Sequence, residues 1–158
     1  MKPIKTNVMR ILDSKKIEYE PFFYEPDATL TGVQIAGILG EDPSKVFKTL
    51  VATGASKTHY VFVIPVECEL DLKKAAAAVG EKNMEMLKAK ELLPLTGYVH
   101  GGCSPIGMKK EFTTTVDIHV NDCEDIYFSA GKLGCQVHMS ISNLTQAFCF
   151  KTADVTKA

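Results

Sequence analysis

Val46-Phe47-Lys48-Thr49-Leu50-Val51-Ala52-Thr53, then Gly54-Ala55-Ser56-Lys57-Thr58, then Tyr60-Val61-Phe62-Val63-Ile64-Pro65-Val66: two β-branched and apolar runs flank a glycine-led polar stretch, which predicts a β-hairpin. Runs with so little polar alternation predict strands buried on both faces. A single lysine interrupts the first run. Side chains alternate along a strand, so Lys48 shares a face with Val46, Leu50 and Ala52. An ammonium on that face needs a carboxylate, phosphate or substrate oxygen nearby, unless its stem covers apolar surface while its head reaches water.

Working outward, Val8, Met9, Ile11 and Leu12 recur at helical spacing and predict a helix over residues 6–14, followed by a strand over 18–24. Thr31 and Gln34 form a capping box ahead of the apolar stripe Val33, Ile35, Ala36, Ile38, Leu39, and Gly40 stands where a C-terminal cap belongs. Asp71 caps a predicted helix over 72–79 closed by Gly80, and a shorter helix is expected over 88–93, before Pro94. Strands are expected at 98–100, 113–120, 126–129 and 136–141, and Ser142 starts a last helix to Phe148. The order mixes βα crossovers with hairpins. It predicts an α/β (mixed α+β) fold, with one mixed parallel and antiparallel sheet curled into a barrel-like structure and packed with helices.

No repeat, low-complexity linker or composition break divides the 158 residues, so a single domain over 1–158 is expected, large enough to remove about 70% of its extended surface from water. With 46% apolar and 23% charged residues the chain reads as soluble, and no stretch approaches the roughly 18 uninterrupted apolar residues of a membrane span. The Met1-Lys2-Pro3-Ile4-Lys5 start lacks the apolar stretch of a secretion signal, which predicts a cytoplasmic protein with no membrane partner. Five cysteines without a C-x-x-C pair, and no histidines at ligand spacing, favour neither a disulfide framework nor a metal site; no cofactor is expected. A net charge of −1 excludes a globally basic nucleic-acid binder and leaves a local patch to Lys73-Lys74, Lys88, Lys90, Lys109-Lys110 and Lys132.

Gly101-Gly102-Cys103-Ser104-Pro105-Ile106-Gly107 is the second informative stretch. Glycine lets backbone amides approach a ligand closely, so the loop reads either as a tight turn or as a nest of amides for an anion or carbonyl oxygen. It is not a P-loop, because Met108 occupies the lysine position, and Ser104 lacks the G-x-S-x-G setting of a hydrolase nucleophile. Cys103 has only His100 near it in sequence, and a small buried filler is the commoner use of such a cysteine. His59, His119 and His138 read as structural. Ser129-Ala130-Gly131-Lys132-Leu133-Gly134 is a second glycine-flanked turn after a strand, and Tyr24-Glu25-Pro26-Asp27 ends the first strand with a phenol and two carboxylates.

The V-F-K-T-L strand, the I-P-V strand end at Ile64 to Val66, the D-L-K-K-A helix start at Asp71 to Ala75, the G-G-x-S-P-I-G loop and the S-x-G-K turn together resemble the YbaK/EbsC family, freestanding relatives of the editing domain of bacterial prolyl-tRNA synthetases. The resemblance runs from the first helix to about Phe148 with the motifs in family order. It implies a partly barrel-like β-structure wrapped by helices and a trans-editing aminoacyl-tRNA deacylase that clears cysteine from tRNA(Pro). Partners implied are the charged tRNA and a prolyl-tRNA synthetase. By the same resemblance Lys48 orients the aminoacyl ester, the Gly101 and Gly102 amides face the scissile carbonyl, and Tyr24, Ser129 and Gly131 belong to the substrate pocket. Ser104, Pro105 and Gly107 complete the loop side of that pocket. Gln136 stands where bacterial relatives carry an aspartate. In the cysteine-specific type the substrate's own thiol attacks its ester carbonyl, which accounts for the missing triad. Two alternatives remain: a deacylase for Ala-tRNA(Pro) or another small aminoacyl-tRNA, using water, and a noncatalytic tRNA- or synthetase-binding module.

Overall fold

The computed structural model describes residues 4–158; of the chain start read above, residues 1–3 lie outside it. The elements are α1 (Asn7–Ser14), β1 (Glu20–Phe23), α2 (Gly32–Leu39), β2 (Phe47–Gly54), β3 (His59–Pro65), α3 (Leu72–Val79), β4 (Met84–Met86), α4 (Ala89–Thr96), β5 (Thr113–Asp117), β6 (Asp125–Ser129), β7 (Cys135–Ser140), α5 (Ile141–Ala147) and β8 (Lys151–Ala153). Short 3-10 turns cover Pro43–Lys45 and Ile118–Asp122.

The hairpin forms in the expected register, antiparallel from Phe47 opposite Pro65 to Thr53 opposite His59. It is the centre of a five-stranded sheet of order β4-β2-β3-β5-β8, in which β3, β5 and β8 run parallel. A separate antiparallel sheet has the order β1-β7-β6. The two sheets meet at one parallel bridge, Val46 to Tyr127. One mixed sheet curled into a barrel was expected; among the described residues there are two sheets, and neither closes on itself. The reason lies in the second edge of β2. Its start bridges β6 and its end, Ala52 to Gly54, pairs β4, so the ladder needed for closure is interrupted across residues 48–50.

The main core lies on the face of β2 and β3 that carries Phe47, Val51, Val61 and Val63, packed with α1, α5 and the small sheet through Val8, Leu12, Phe128, Val137 and Leu144. Ala52, Phe62 and Ile64 point the other way into a second core under α3. A third cluster, Ala36, Val46 and Val66 with Tyr127, seats α2 where the sheets meet. Strand β3 is buried from Val61 to Pro65, as expected. Strand β2 is not: it opens at Lys48, Thr49 and Leu50, beside its interrupted edge.

Helix ends follow the local chemistry. Gln34 N donates to Thr31 Oγ1 (3.2 Å), Thr31 N donates to Gln34 Oε1 (2.8 Å), and Gly40 closes α2 at φ 69°. Asp71 and Gly80 bound α3 in the same way. Other boundaries moved. Residues 98–100 form no strand: Tyr98 N donates to Thr96 Oγ1, and Val99 opens a turn into Gly101 at φ 85°. β5 stops at Asp117, whose side chain accepts from His119 N and starts a 3-10 turn. α4 runs through Pro94 to Thr96, since a proline so close to the helix end removes a single ladder bond. Ser140, not Ser142, caps α5 by accepting from Asn143 N. β4 and β8, three residues each, carry no periodic signal at that length.

Candidate active site

Lys48 stands on the face of β2 that carries Val46 and Ala52, cross-strand from Ile64, half-buried and in no ion pair among the described residues. Its charge is felt at Cys68, whose thiol burial pushes up and Lys48 pulls back. The Val46–Tyr127 bridge sets β2 and β6 side by side in parallel, so the same two-residue step along each strand leads to Lys48 and to Ser129 on one face. In the small sheet Ser129 pairs with Gln136, and Gln136 with Phe22. Tyr24, one step beyond β1, donates its N–H to Gly134 O (3.0 Å), and burial raises its phenol. Register therefore gathers Tyr24, Lys48, Ser129 and Gln136 on one side of the sheets, away from the main core.

The turn from Ser129 to Cys135 is tightly bound. Gly131 N donates to Ser129 Oγ (3.1 Å), Cys135 N to Lys132 O (3.2 Å), and Gly131 adopts φ 92°, which glycine tolerates at no steric cost. The 99–102 turn docks on it. A Cβ on Gly102 would lie 3.2 Å from Leu133 N and 3.4 Å from Lys132 Cα, and one on Gly101 would lie 2.9 Å from Leu133 Cδ2. The paired glycines thus permit two turns to touch. Their role as carbonyl donors divides: Gly102 N already donates to Val99 O (2.9 Å) and has no proton left for a ligand, whereas the amides of Gly101, Cys103 and Ser104 donate to no acceptor among the described residues.

Tyr98 ties the loops together. Its ring meets Gly131, its hydroxyl lies beside Gly107 and donates to Ile106 O, and burial pushes its own ionisation up to about 12. Ser104 is fully buried, with Oγ accepting from Ile106 N (3.4 Å). Pro105 and Gly107 line a groove of about 420 Å³ with Ile11, Lys15, Phe112 and Phe148, and Lys48 is not part of its lining. A larger groove of about 1070 Å³, between α1, β1 and β7, contains none of the residues expected to bind or act on the substrate.

Among the described residues of this region, the one cysteine in the glycine loop is not an activated nucleophile. Burial pushes the Cys103 thiol up to about 12, so it stays protonated at neutral pH. Three histidines are held by neighbours: His59 by Thr53 (3.0 Å), His119 in the 3-10 turn by Asp117, and His138 by Glu20 (3.0 Å) and Asp125.

Glu41 was missed. It follows Gly40 in a Schellman ending of α2, where Glu41 N donates to Ala36 O (2.8 Å), and its side chain is 9% exposed. With the Gln136 amide oriented by its hydrogen bonds, the NH2 group donates to both Glu41 carboxylate oxygens at 2.9 Å. Burial raises the Glu41 carboxyl from 4.5 to about 7, against smaller opposing pulls from His138 and Gln136. A signal existed in the sequence: the position after a helix-capping glycine commonly makes an apolar contact, and here it carries a charge.

Comparison with known proteins agrees with this architecture. Residues 26–147 match the aminoacyl-tRNA editing domain. A protein of Enterococcus faecalis, EbsC, described as a candidate Cys-tRNA(Pro)/Cys-tRNA(Cys) deacylase, is 43% identical over 137 residues, covering 86% of this chain and 84% of that one. Among solved structures, the hypothetical protein APE2540 superposes with a TM-score of 0.85 at 23% identity, over 95% of this chain and 99% of its own. A candidate trans-editing enzyme for prolyl-tRNA synthetase superposes at 0.80 with 21% identity, over 97% and 99%. These two share the fold. Taken with the 122-residue span of the domain match, counted from 26 to 147, the 43% identity to EbsC places the chain in the aminoacyl-tRNA editing domain family.

Proposed function

We propose that this protein is a trans-editing aminoacyl-tRNA deacylase that removes cysteine from tRNA(Pro) by thiol-assisted cyclisation. The observation that carries the reading is a half-buried, unpaired lysine at an interrupted strand edge, beside a polar face where the cysteine of the glycine loop is not an activated nucleophile. Such a face suits a reaction in which the substrate attacks itself. The cysteinyl sulfur forms a bond to its own acyl carbon, the ester C–O bond breaks, and the thiol proton passes to the departing 3′-oxygen of the tRNA, leaving a cyclic thioester. Holding thiolate and carbonyl in contact supplies the rate advantage of an intramolecular reaction. Lys48 contributes positive field to the developing oxyanion, and the free amides of Gly101 and Cys103 are the available donors. Gly102 serves by close packing rather than by donation, while Tyr24, Ser129, Gly131 and Gln136 line the acyl group. Lys132, next to the glycine turn, faces the phosphates of the acceptor end. The tRNA is selected by the synthetase that charges it, in the cytoplasm.

The test is deacylation of Cys-tRNA(Pro), S-methylcysteinyl-tRNA(Pro) and Ala-tRNA(Pro) by wild type and Lys48→Ala. The expected result is clearance of the first ester alone, reduced about 10²- to 10³-fold in the variant, the usual cost of one oxyanion-stabilising group. Cleavage of the S-methyl or alanyl ester at the same rate means water attack. Equal rates for wild type and Lys48→Ala remove Lys48 from the site, and persistence of all three esters leaves a binding module.

A further inference from the structure

We infer that Glu41, presented by Gln136, receives the α-ammonium of the aminoacyl ester, so that the protein distinguishes free aminoacyl-tRNA from N-acylated or peptidyl-tRNA. The assignment rests on the deacylase reading above.

A carboxylate offers about four lone-pair directions, and the Gln136 NH2 group engages each Glu41 oxygen once, leaving both oxygens able to accept further hydrogen bonds. Gln136 is neutral, and none of the ion pairs among the described residues includes Glu41. A buried carboxyl at such a place either holds a proton or, when ionised, calls for a cation to complete it, because an amide alone does not offset the loss of water around a full charge. Three strands supply the surroundings. Tyr24 beyond β1, Tyr127 on β6 and His138 on β7 are the titratable groups that feel or perturb the Glu41 charge; Lys48 on β2 shares the wider face, and Asp42 follows on the same connection. Of these, His138 is already held by Glu20 and Asp125.

The substrate carries the missing cation. Every aminoacyl ester has an ammonium on the carbon next to its acyl carbon, whereas an N-acylated ester has a neutral amide there. Glu41 and the Gln136–Ser129 pair are joined through one side-chain contact and one strand register, so an acyl carbon at Ser129 and Lys48 brings its α-substituent toward the carboxylate. Because the α-ammonium is common to all amino acids, this contact does not choose cysteine over alanine. It decides whether the ester is open to editing at all.

The carboxylate must be ionised and the amine protonated. Burial puts the Glu41 ionisation at about 7 in the free protein, and the ester amine must keep its proton, so KM for the free-amine ester passes through a minimum near neutral pH and rises on both the acid and the alkaline side. The experiment compares Cys-tRNA(Pro) with N-acetyl-Cys-tRNA(Pro), each enzymatic rate divided by the spontaneous hydrolysis of the same ester. Wild type is expected to favour the free amine by about 10- to 100-fold, the range for a hydrogen bond to a charged group, chiefly through KM. Glu41→Gln abolishes the preference and flattens the pH dependence of KM, and the exchanged pair Glu41→Gln/Gln136→Glu, which returns one carboxylate to the same contact, restores it. An unchanged preference in Glu41→Gln, or none in wild type, overturns the assignment while leaving the deacylase reading intact. Absence of wild-type deacylation of either ester overturns both.

Discussion

Glu41→Gln also makes a stability prediction that needs no substrate. The side chain is 9% exposed, and burial moves its carboxyl from 4.5 to about 7. The folded-state value lies above the unfolded one, so between them the folded protein holds a proton that the unfolded chain has lost. Stability therefore falls as pH rises through that window. Each pH unit separating the two ionisations is worth about 1.36 kcal/mol; weighted by the fraction ionised in each state, wild type loses about 2.5 kcal/mol between pH 5 and pH 8 through this one group. The amide of the variant has no charge to bury, and titrating groups that do not feel the Glu41 charge are the same in both proteins and cancel in the difference. Urea unfolding of wild type and Glu41→Gln at pH 5, 6, 7 and 8 should show the variant gaining about 2 to 3 kcal/mol relative to wild type across the series, or about 4 to 12 °C in Tm, at unchanged m. A difference that is flat with pH would mean that the carboxylate is solvated or already paired, and would remove the physical basis for a cation-seeking group.

Tyr98→Phe leaves Ile106 O without its donor and loosens the contact between the Gly107 and Gly131 loops; it should cost about 1 to 3 kcal/mol in urea unfolding, and a cost below about 0.3 kcal/mol would contradict the role of Tyr98. Thr115 is fully buried with an unpartnered hydroxyl, so Thr115→Val, similar in shape and well suited to a strand, should raise stability by about 1 kcal/mol; destabilisation would reveal an acceptor for that hydroxyl. The hydrogen bond to Asp117 raises the His119 imidazole above 6.5, so its contribution to stability is present below that pH and is lost as pH rises through the folded value. An NMR titration should place the folded midpoint above 6.5, and a midpoint at or below 6.5 refutes the pairing.

Local signals were readable without the fold. The capping box at Thr31 and Gln34, the glycines that end α2 and α3, and the hairpin around Gly54 depend on neighbours a few residues away, and all formed as expected. The strand expected at 98–100 failed because a three-residue stretch has no periodicity, and Thr96 and Gly101 won it for a turn. The closed sheet failed for a different reason: whether β2 keeps or loses its neighbour across residues 48–50 depends on β4 and β6, which arrive from elsewhere in the chain. Gly101 and Gly102 stood out as a ligand loop, yet their proximity to Leu133 and Lys132 explains their missing side chains equally well, and this contact has no trace in either stretch alone.

From its residues alone the chain specified its helices, its central hairpin, one lysine on an apolar strand and the family of its motifs, because each of these is written in short-range periodicity or in ordered short stretches. What completes the polar face beside that lysine was left to the tertiary structure. Gln136 read as the loss of an acidic group; folding returns a carboxylate to the same place from the α2–β2 connection, where Glu41 gave no hint of its partner. Charge complementarity between distant segments is decided by strand register and by the water excluded when they meet, and neither exists until the chain has closed on itself.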